Sequence, residues 1–377
     1  MNFRISLLPH QILYLNILVL GFLSFLGLNL FNPSILFEAL LFVTFFIYLS
    51  TIQKDVLWIP IVSLTYVTLS LIYAVIIEKN HILDFFLIFK SFVYLVIISQ
   101  FVGKNSLTPE YVRKIYLVVL GLFFLKYLFL VLQGTARQSI RVFDESNFEL
   151  MMLSCLFLLD YRNRRELNYL EIMLLLITFF LSGSRSGLVI IVFLIGALFL
   201  KNLNKRNFFI LLLFAPIGIG MIYFIFLTRS EGDTLESIDR YIFFMSFLKE
   251  VKDWTFFDFL VGSERITALS PETCGKLNYY EKLLSFRNDG TCYSVILHSF
   301  IIRVIFDHGL IGFSFLCLSV YHLVRKSGTD RFISFLILMI LILNSLSVSA
   351  FNSVYAMLGV SLFLTSKNPE IIVKNDK

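Results

Sequence analysis

The sequence predicts an all-α, polytopic membrane protein of about twelve transmembrane helices with one large hydrophilic loop. Three observations carry that expectation. Hydrophobic residues make up 58% of the 377 and charged residues only 15%, against about 45–50% and about 25% in soluble domains. The mean hydropathy is +0.84. The apolar residues also fall into runs of the length a bilayer requires, about 20 residues per helical crossing. This composition excludes a secreted disulfide scaffold and a soluble nucleic-acid-binding protein. The 43 phenylalanines are bulk for lipid rather than a nucleic-acid footprint.

Taken in order, the runs predict spans at 11–31, 35–51, 56–77, 82–102, 114–133, 146–160, 167–183, 186–201, 208–227, 301–324, 332–349 and 351–366. In lipid only helices satisfy so much backbone within one segment. The first run is too long, and lacks the small-residue cleavage site, for a removed signal peptide. No internal repeat stands out, which speaks against the repeat-built transporter folds. Lys and Arg concentrate in alternate connections, among them Lys54, Arg113, Arg162, Arg164, Arg165, Lys205, Arg325 and Lys326. The opposite short connections hold Lys79, Arg137, Arg141 and Arg185. Positively charged connections stay inside, so both termini are expected in the cytoplasm, in agreement with an even number of spans. The net charge of +6 is thus a topology signal before it is a ligand signal.

That orientation sends residues 228–300, between the ninth and tenth spans, outside as the one long loop of a single integral membrane domain covering 1–377. Within it Ile238, Tyr241, Ile242, Met245 and Leu248 recur at helical spacing and predict a helix over Glu236–Val251 lying on the membrane face. Cys274 and Cys292 fall in the same loop. They either pair in an oxidising compartment or stand as two surface thiols. Cys155 and Cys317 fall inside spans.

Four stretches carry candidate chemistry. In Ser182-Gly183-Ser184-Arg185-Ser186-Gly187 small residues interrupt an apolar run around one arginine. Small residues let helices approach, and a guanidinium at membrane depth is costly unless paired or set in a wet cavity. The stretch is an anion site facing a cavity, or a tight hairpin whose arginine reaches the surface. In Ser237-Ile238-Asp239-Arg240-Tyr241, Arg240 opens the expected surface helix. A cation beside a helix N-terminus suits phosphate, while an Asp239–Arg240 surface pair is the plainer alternative. His298, at the junction of loop and tenth span, can exchange a proton near neutrality or serve structure alone. His308 ranks second, in Asp307-His308-Gly309-Leu310-Ile311-Gly312, where the glycines suggest helix packing. Finally, Arg141-Val142-Phe143-Asp144-Glu145-Ser146-Asn147 gathers polar groups that could bond sugar hydroxyls, or that cap the sixth span through Ser146 or Asn147. Glu38, Asp84, Lys90, Lys126, Glu149 and Glu171 lie within apolar runs, where ionisable residues are functional suspects. Asp84 and Lys90 could neutralise one another locally, although six residues apart is a poor same-face spacing. No nucleotide-binding glycine motif, serine-nucleophile elbow or metal-ligand spacing occurs, so no cofactor and no metal are expected.

The Ser-Gly-Ser-Arg-Ser-Gly span end, the Ser237-x-x-Arg240-Tyr241 opening, Leu297-His298-Ser299-Phe300 and Asp307-His308-Gly309-Leu310-Ile311-Gly312-Phe313 together resemble the O-antigen ligase and polymerase superfamily, over roughly residues 135–320. Ser299 departs from the family, which often carries Asn after the histidine. The resemblance implies a GT-C-like glycosyltransferase of the bacterial inner membrane, with its loop and active site periplasmic. Its donor and acceptor would be oligosaccharides on undecaprenyl pyrophosphate, and it would need no metal. A Wzy-type polymerase is favoured by the span count, with a Wzz-type chain-length regulator as implied partner. Membrane lipid surrounds it, and nucleic acid is not a partner. The expected catalytic set is Arg185, Arg240 and His298. The expected substrate-binding set is Arg141, Glu145, Asn147, Ser184, Arg265, Arg287 and His308. The alternatives are the ligase of the same superfamily, acting on lipid A-core, and a flippase or other multi-pass transporter, which would place its charged groups nearer the midplane.

Overall fold

The computed structural model describes residues 8–26, 32–48, 52–135, 140–201, 216, 220 and 239–366. Their regular structure is all helical, with no β-strand among them beyond an isolated bridge between Leu107 and Ser366. The helices are α1 (Leu8–Phe25), α2 (Pro33–Tyr48), α3 (Trp58–Leu71, continued by a π-turn Ile72–Ile77), α4 (Ile82–Ser99), α5 (Pro109–Leu132), α6 (Ser146–Arg164), α7 (Tyr169–Leu181) and α8 (Arg185–Lys201). After them come α9 (Asp239–Glu250), α10 (Phe256–Val261), α11 (Pro271–Lys276), α12 (Phe300–Lys326), α13 (Arg331–Ser345) and α14 (Val354–Thr365). The expected span over 208–227 lies almost wholly outside the described residues, as do Arg137, Ser237 and Ile238.

Local chemistry sets several boundaries. Thr108 caps α5 by accepting from Tyr111 N–H (3.3 Å), with Pro109 at the first helical position. Asp330 caps α13 through Ile333 N–H (2.9 Å). α7 ends at Gly183, whose φ of +62° suits glycine.

Among the described residues four helices are long and apolar enough to cross a membrane: Trp58–Ile77, Ile82–Ser99, Pro109–Leu132 and Phe300–Lys326. Apolar stretches in α1, α2, α7, α13 and α14 are shorter. α14 is buried on every side, and α6 is buried from Glu149 to Arg162, the mark of a central helix. The two touch so closely that a Cβ at Gly359 would fall 2.8 Å from Cys155 Sγ. Around them α2 and α3 expose Phe42, Phe46, Ile61, Leu64 and Ile76, a large apolar surface of the kind lipid covers.

α6 runs past its expected end to Arg164. Asp160 is buried beneath Arg113 (3.0 Å) and Arg164, both of which also meet Glu171. These partners from α5 and α7 are why the charges stay inside the helix. Asp84 and Lys90 do not neutralise one another. Lys90 pairs with Glu38 of α2, whereas Asp84 accepts from Phe286 N–H (3.0 Å) and Ser285 Oγ (3.1 Å) and so ties the long loop to α4. Residues six apart sit on different helix faces, and each found its partner across the bundle.

The segment 239–299 is not coil. α9, α10, α11 and two 3₁₀ turns pack around a second small core that includes Phe243, Phe247, Leu269 and Leu297. The same core contains the Cys274–Cys292 disulfide, with Cα atoms 5.6 Å apart. The two thiols left alternative by the sequence are therefore paired. The loop helix begins at Asp239 and ends at Glu250 among the described residues, where Glu250 accepts from Ser270 N–H (3.1 Å).

Candidate functional site

The hairpin between α7 and α8 uses each of its small residues. Ser182 Oγ bonds back to Phe179 O (2.6 Å) and accepts from Ser184 N–H (3.1 Å). Ser184 accepts from Gly187 N–H (3.0 Å) and so caps α8. A Cβ at Gly187 would lie 2.9 Å from Leu150 Cδ1, so glycine brings α8 against α6. Arg185 then stands at the first position of α8, half-buried.

From α6, Asn147 reaches this turn. Its Oδ1 accepts from Ser184 Oγ and from Ser186 Oγ (3.1 Å), and its Nδ2 donates to Glu145 (2.6 Å). Its own carbonyl accepts from Asn344 of α13 (3.1 Å). Neither Ser146 nor Asn147 caps α6. The N-cap position belongs to Glu145, which makes no side-chain cap bond, because Asn147 is engaged by the serines of the neighbouring hairpin.

The rest of the Arg141–Asn147 stretch holds the loop in place. Val142 and Phe143 donate their N–H groups to the buried Glu149 carboxylate, which also accepts from Tyr127 (3.1 Å). Asp144 accepts from Tyr355 (2.9 Å) and Ser34. Arg141 is exposed and donates to Asp144 O (3.0 Å). Glu149 and Asp144 are thus used by structure.

Arg240, exposed in the first turn of α9, joins the two halves of the site. Its charge acts on Arg185 and on Glu145. Burial pushes the Glu145 carboxyl above the ordinary range, while the Asn147 amide and the positive Arg240 pull it back. Arg240 also stands at a groove of about 380 Å³ that holds His298 and Ser299, with Phe243, Phe247, Ile302 and Ile305 as apolar walls. His298 follows the 3₁₀ turn Ser294–Leu297 with φ +56°, a conformation rare for a side-chain-bearing residue. Its ring lies against Phe243 (centroids 5.0 Å apart) and Tyr280 (5.2 Å). Its carbonyl accepts from Ser349 Oγ (3.0 Å), and Ser349 Oγ in turn accepts from the buried Arg303.

The structure therefore gathers Arg185, Arg240, Glu145, Asn147, Ser184 and His298. Arg265 and His308 line a different cavity. Arg265 donates to Asp307 O (3.5 Å) and lies over the Tyr66 ring (4.9 Å), while His308 Nδ1 meets Tyr66 Oη (2.9 Å). Gly309 packs closely on α10, as the glycines suggested, but at a break in its own helix. It breaks α12 with φ +66°, and a Cβ there would strike the Leu260 carbonyl. The Phe306 carbonyl released by the break accepts from Ser263 N–H (2.7 Å). Arg287 pairs with Asp289 (2.9 Å) and reaches Asn80, bracing the loop. Sequence inspection missed Tyr66, Arg303, Asp307 and Ser349. Arg303 and Asp307, four apart within an apolar run, were the available signal.

Among the described residues no cluster of His, Cys, Asp and Glu could hold a metal ion. No protein-family model matches the chain, and no curated protein matches it.

Proposed function

We propose that the chain is a glycosyltransferase of the Wzy polymerase type, joining oligosaccharide units carried on undecaprenyl pyrophosphate. The observation that carries this reading is a groove lined by Arg240 and His298, with the Arg240 charge also acting on Arg185 at the start of α8. An anion relieves the repulsion between like charges, and a pyrophosphate supplies several negative oxygens. Guanidinium groups bind such oxygens in bidentate fashion.

In the reaction, a hydroxyl at the non-reducing end of the acceptor attacks the anomeric carbon of the donor chain. The bond from that carbon to the pyrophosphate oxygen breaks, and its electron pair leaves with undecaprenyl pyrophosphate. His298 accepts the hydroxyl proton, and the two arginines take up the charge on the leaving group. Glu145 offers carboxylate oxygens for sugar hydroxyls at the same mouth, while Asn147 and Ser184 hold the hairpin that carries Arg185. The reading carries with it a GT-C-like chain of twelve spans in the bacterial inner membrane. Both ends would be cytoplasmic, and the 228–300 loop periplasmic.

Reconstitution with purified lipid-linked repeat units, without added nucleotide or metal, tests it. The expected outcome is a ladder of longer products. Arg185→Ala and Arg240→Ala are each expected to lower the rate by about 10²–10³ while the protein still reaches the membrane. Unchanged ladders from both variants refute the scheme. In cells, loss of the polymerase leaves one repeat unit on the core, whereas bare core would identify the ligase instead.

A further inference from the structure

Arg265 stands where two cavities meet. One, of about 450 Å³, is walled by Trp254, Tyr73 and Phe257 and rimmed by Asp258, Ser263 and Glu264. The other, of about 210 Å³, continues from Val261 and Arg265 between α3 and α12, where Val62, Phe92, Ile311 and Phe315 make it apolar. The first cavity lies toward the end of α3 that faces the loop, at Tyr73. The second lies toward the middle of the same helix, at Val62 and Tyr66. Passing inward, the lining changes from aromatic faces with hydrogen-bonding groups, to a guanidinium, to hydrocarbon.

The surroundings are firmly built. Trp254 stacks on Phe306 with centroids 5.6 Å apart, and Thr255 and Asp258 form a capping box. Gly262 lies against the break at Gly309 so closely that a Cβ on it would fall 2.6 Å from Gly309 N. Arg265 is fixed from two sides by the Asp307 carbonyl and the Tyr66 ring.

Each zone has a chemical complement. A sugar ring presents a face of C–H groups and a rim of hydroxyls, which fit aromatic walls and carboxylate acceptors. A phosphate fits the guanidinium. A hydrocarbon chain gains from burial in the apolar crevice. One kind of molecule uses all three in this order: a saccharide joined through phosphate to a lipid.

We propose that this is a second lipid-linked oligosaccharide site, holding the acceptor while the Arg185–Arg240 mouth holds the donor. The proposal rests on the polymerase reading, because a reaction joining two molecules of one class needs two places for them. His298, which precedes α12, is separated from His308 by the helical stretch Phe300–His308, roughly 13 Å long at 1.5 Å per residue. The carboxylates Asp258 and Glu264 repel phosphate from the sugar cleft and so favour its place at Arg265.

Native mass spectrometry of the full chain, with purified lipid-linked repeat unit as probe, counts the bound molecules. Wild type is expected to bind two. Ile311→Trp, which fills the crevice, and Arg265→Gln are each expected to leave one, and Arg240→Gln removes the other. Glu264→Gln, on the exposed rim, does not threaten the fold and is expected to weaken the second binding event several-fold. Undecaprenyl phosphate and phosphatidylglycerol serve as competitors and should displace the second molecule at least tenfold less well than unlabelled probe. A single molecule on wild type, two on both Ile311→Trp and Arg265→Gln, or equal displacement by phosphatidylglycerol overturns the proposal. Failure of the polymerase reading looks different, since reconstituted wild type would then form no ladder whatever the count.

Discussion

The two ends of the helix bundle treat arginine in opposite ways. Where α5, α6 and α7 meet, Arg113 and Arg164 close on Asp160 and Glu171, and Arg165 meets Asp330 at 2.8 Å. At the other end, where α8 and α9 begin, Arg240 acts on both Arg185 and the Glu145 carboxyl and stands at a groove. The first arrangement completes itself and locks helices together. The second sets positive charge at an opening. The contrast lies in the setting, since the residue type is the same.

The largest expected effect falls at the self-completed end. Asp160→Asn leaves two arginines above a buried neutral group, and breaking such an arrangement costs on the order of 3–5 kcal/mol. Thermal unfolding in detergent should register it, with the rate per folded molecule unchanged. A comparable loss of rate with no loss of stability would reverse the assignment of the two ends. Next, Arg185→Lys and Arg240→Lys keep the charge and lose the bidentate fork. On the proposed reading each should slow polymerisation about tenfold, equivalent to about 1.4 kcal/mol, with the melting temperature held. Asn147→Ala removes the acceptor shared by Ser184 and Ser186. Leaving buried hydroxyls unsatisfied costs about 1–3 kcal/mol, and the effect should appear in rate and stability together because the hairpin carries Arg185.

The smallest effect concerns Glu145, whose carboxyl is pushed up by burial. A raised folded-state carboxyl pKa means that ionisation opposes folding. Stability is undiminished below the unfolded value and falls as pH rises through the ordinary carboxylate range to the folded value. Glu145→Gln should therefore match wild type in acid and exceed it at neutral pH. A variant less stable at neutral pH would mean that Arg240 outweighs burial at this position.

Apolar runs and breaker residues made most helices legible in the sequence. The turn at Gly183 and the helix at 239–250 both follow from local pattern. The charged tail of α6 did not, because Asp160 and Arg164 read as the end of a span until partners on other helices accommodate them. The same holds for Lys90, whose partner Glu38 is remote in sequence, and for Glu149, which resembles an intramembrane functional acid but clamps two backbone N–H groups. Within the candidate site, Arg185, Arg240 and His298 could be picked singly from residue type and setting. What no linear pattern carries is that Arg265 and His308 assemble elsewhere, around a helix broken at Gly309.

Tyr280, which lies against the ring of His298, sits in the stretch of chain between Cys274 and Cys292. A covalent link over a loop of this size withdraws about 3 kcal/mol of freedom from the unlinked chain. A reducing agent would therefore loosen the wall beside the histidine without altering one atom of the groove.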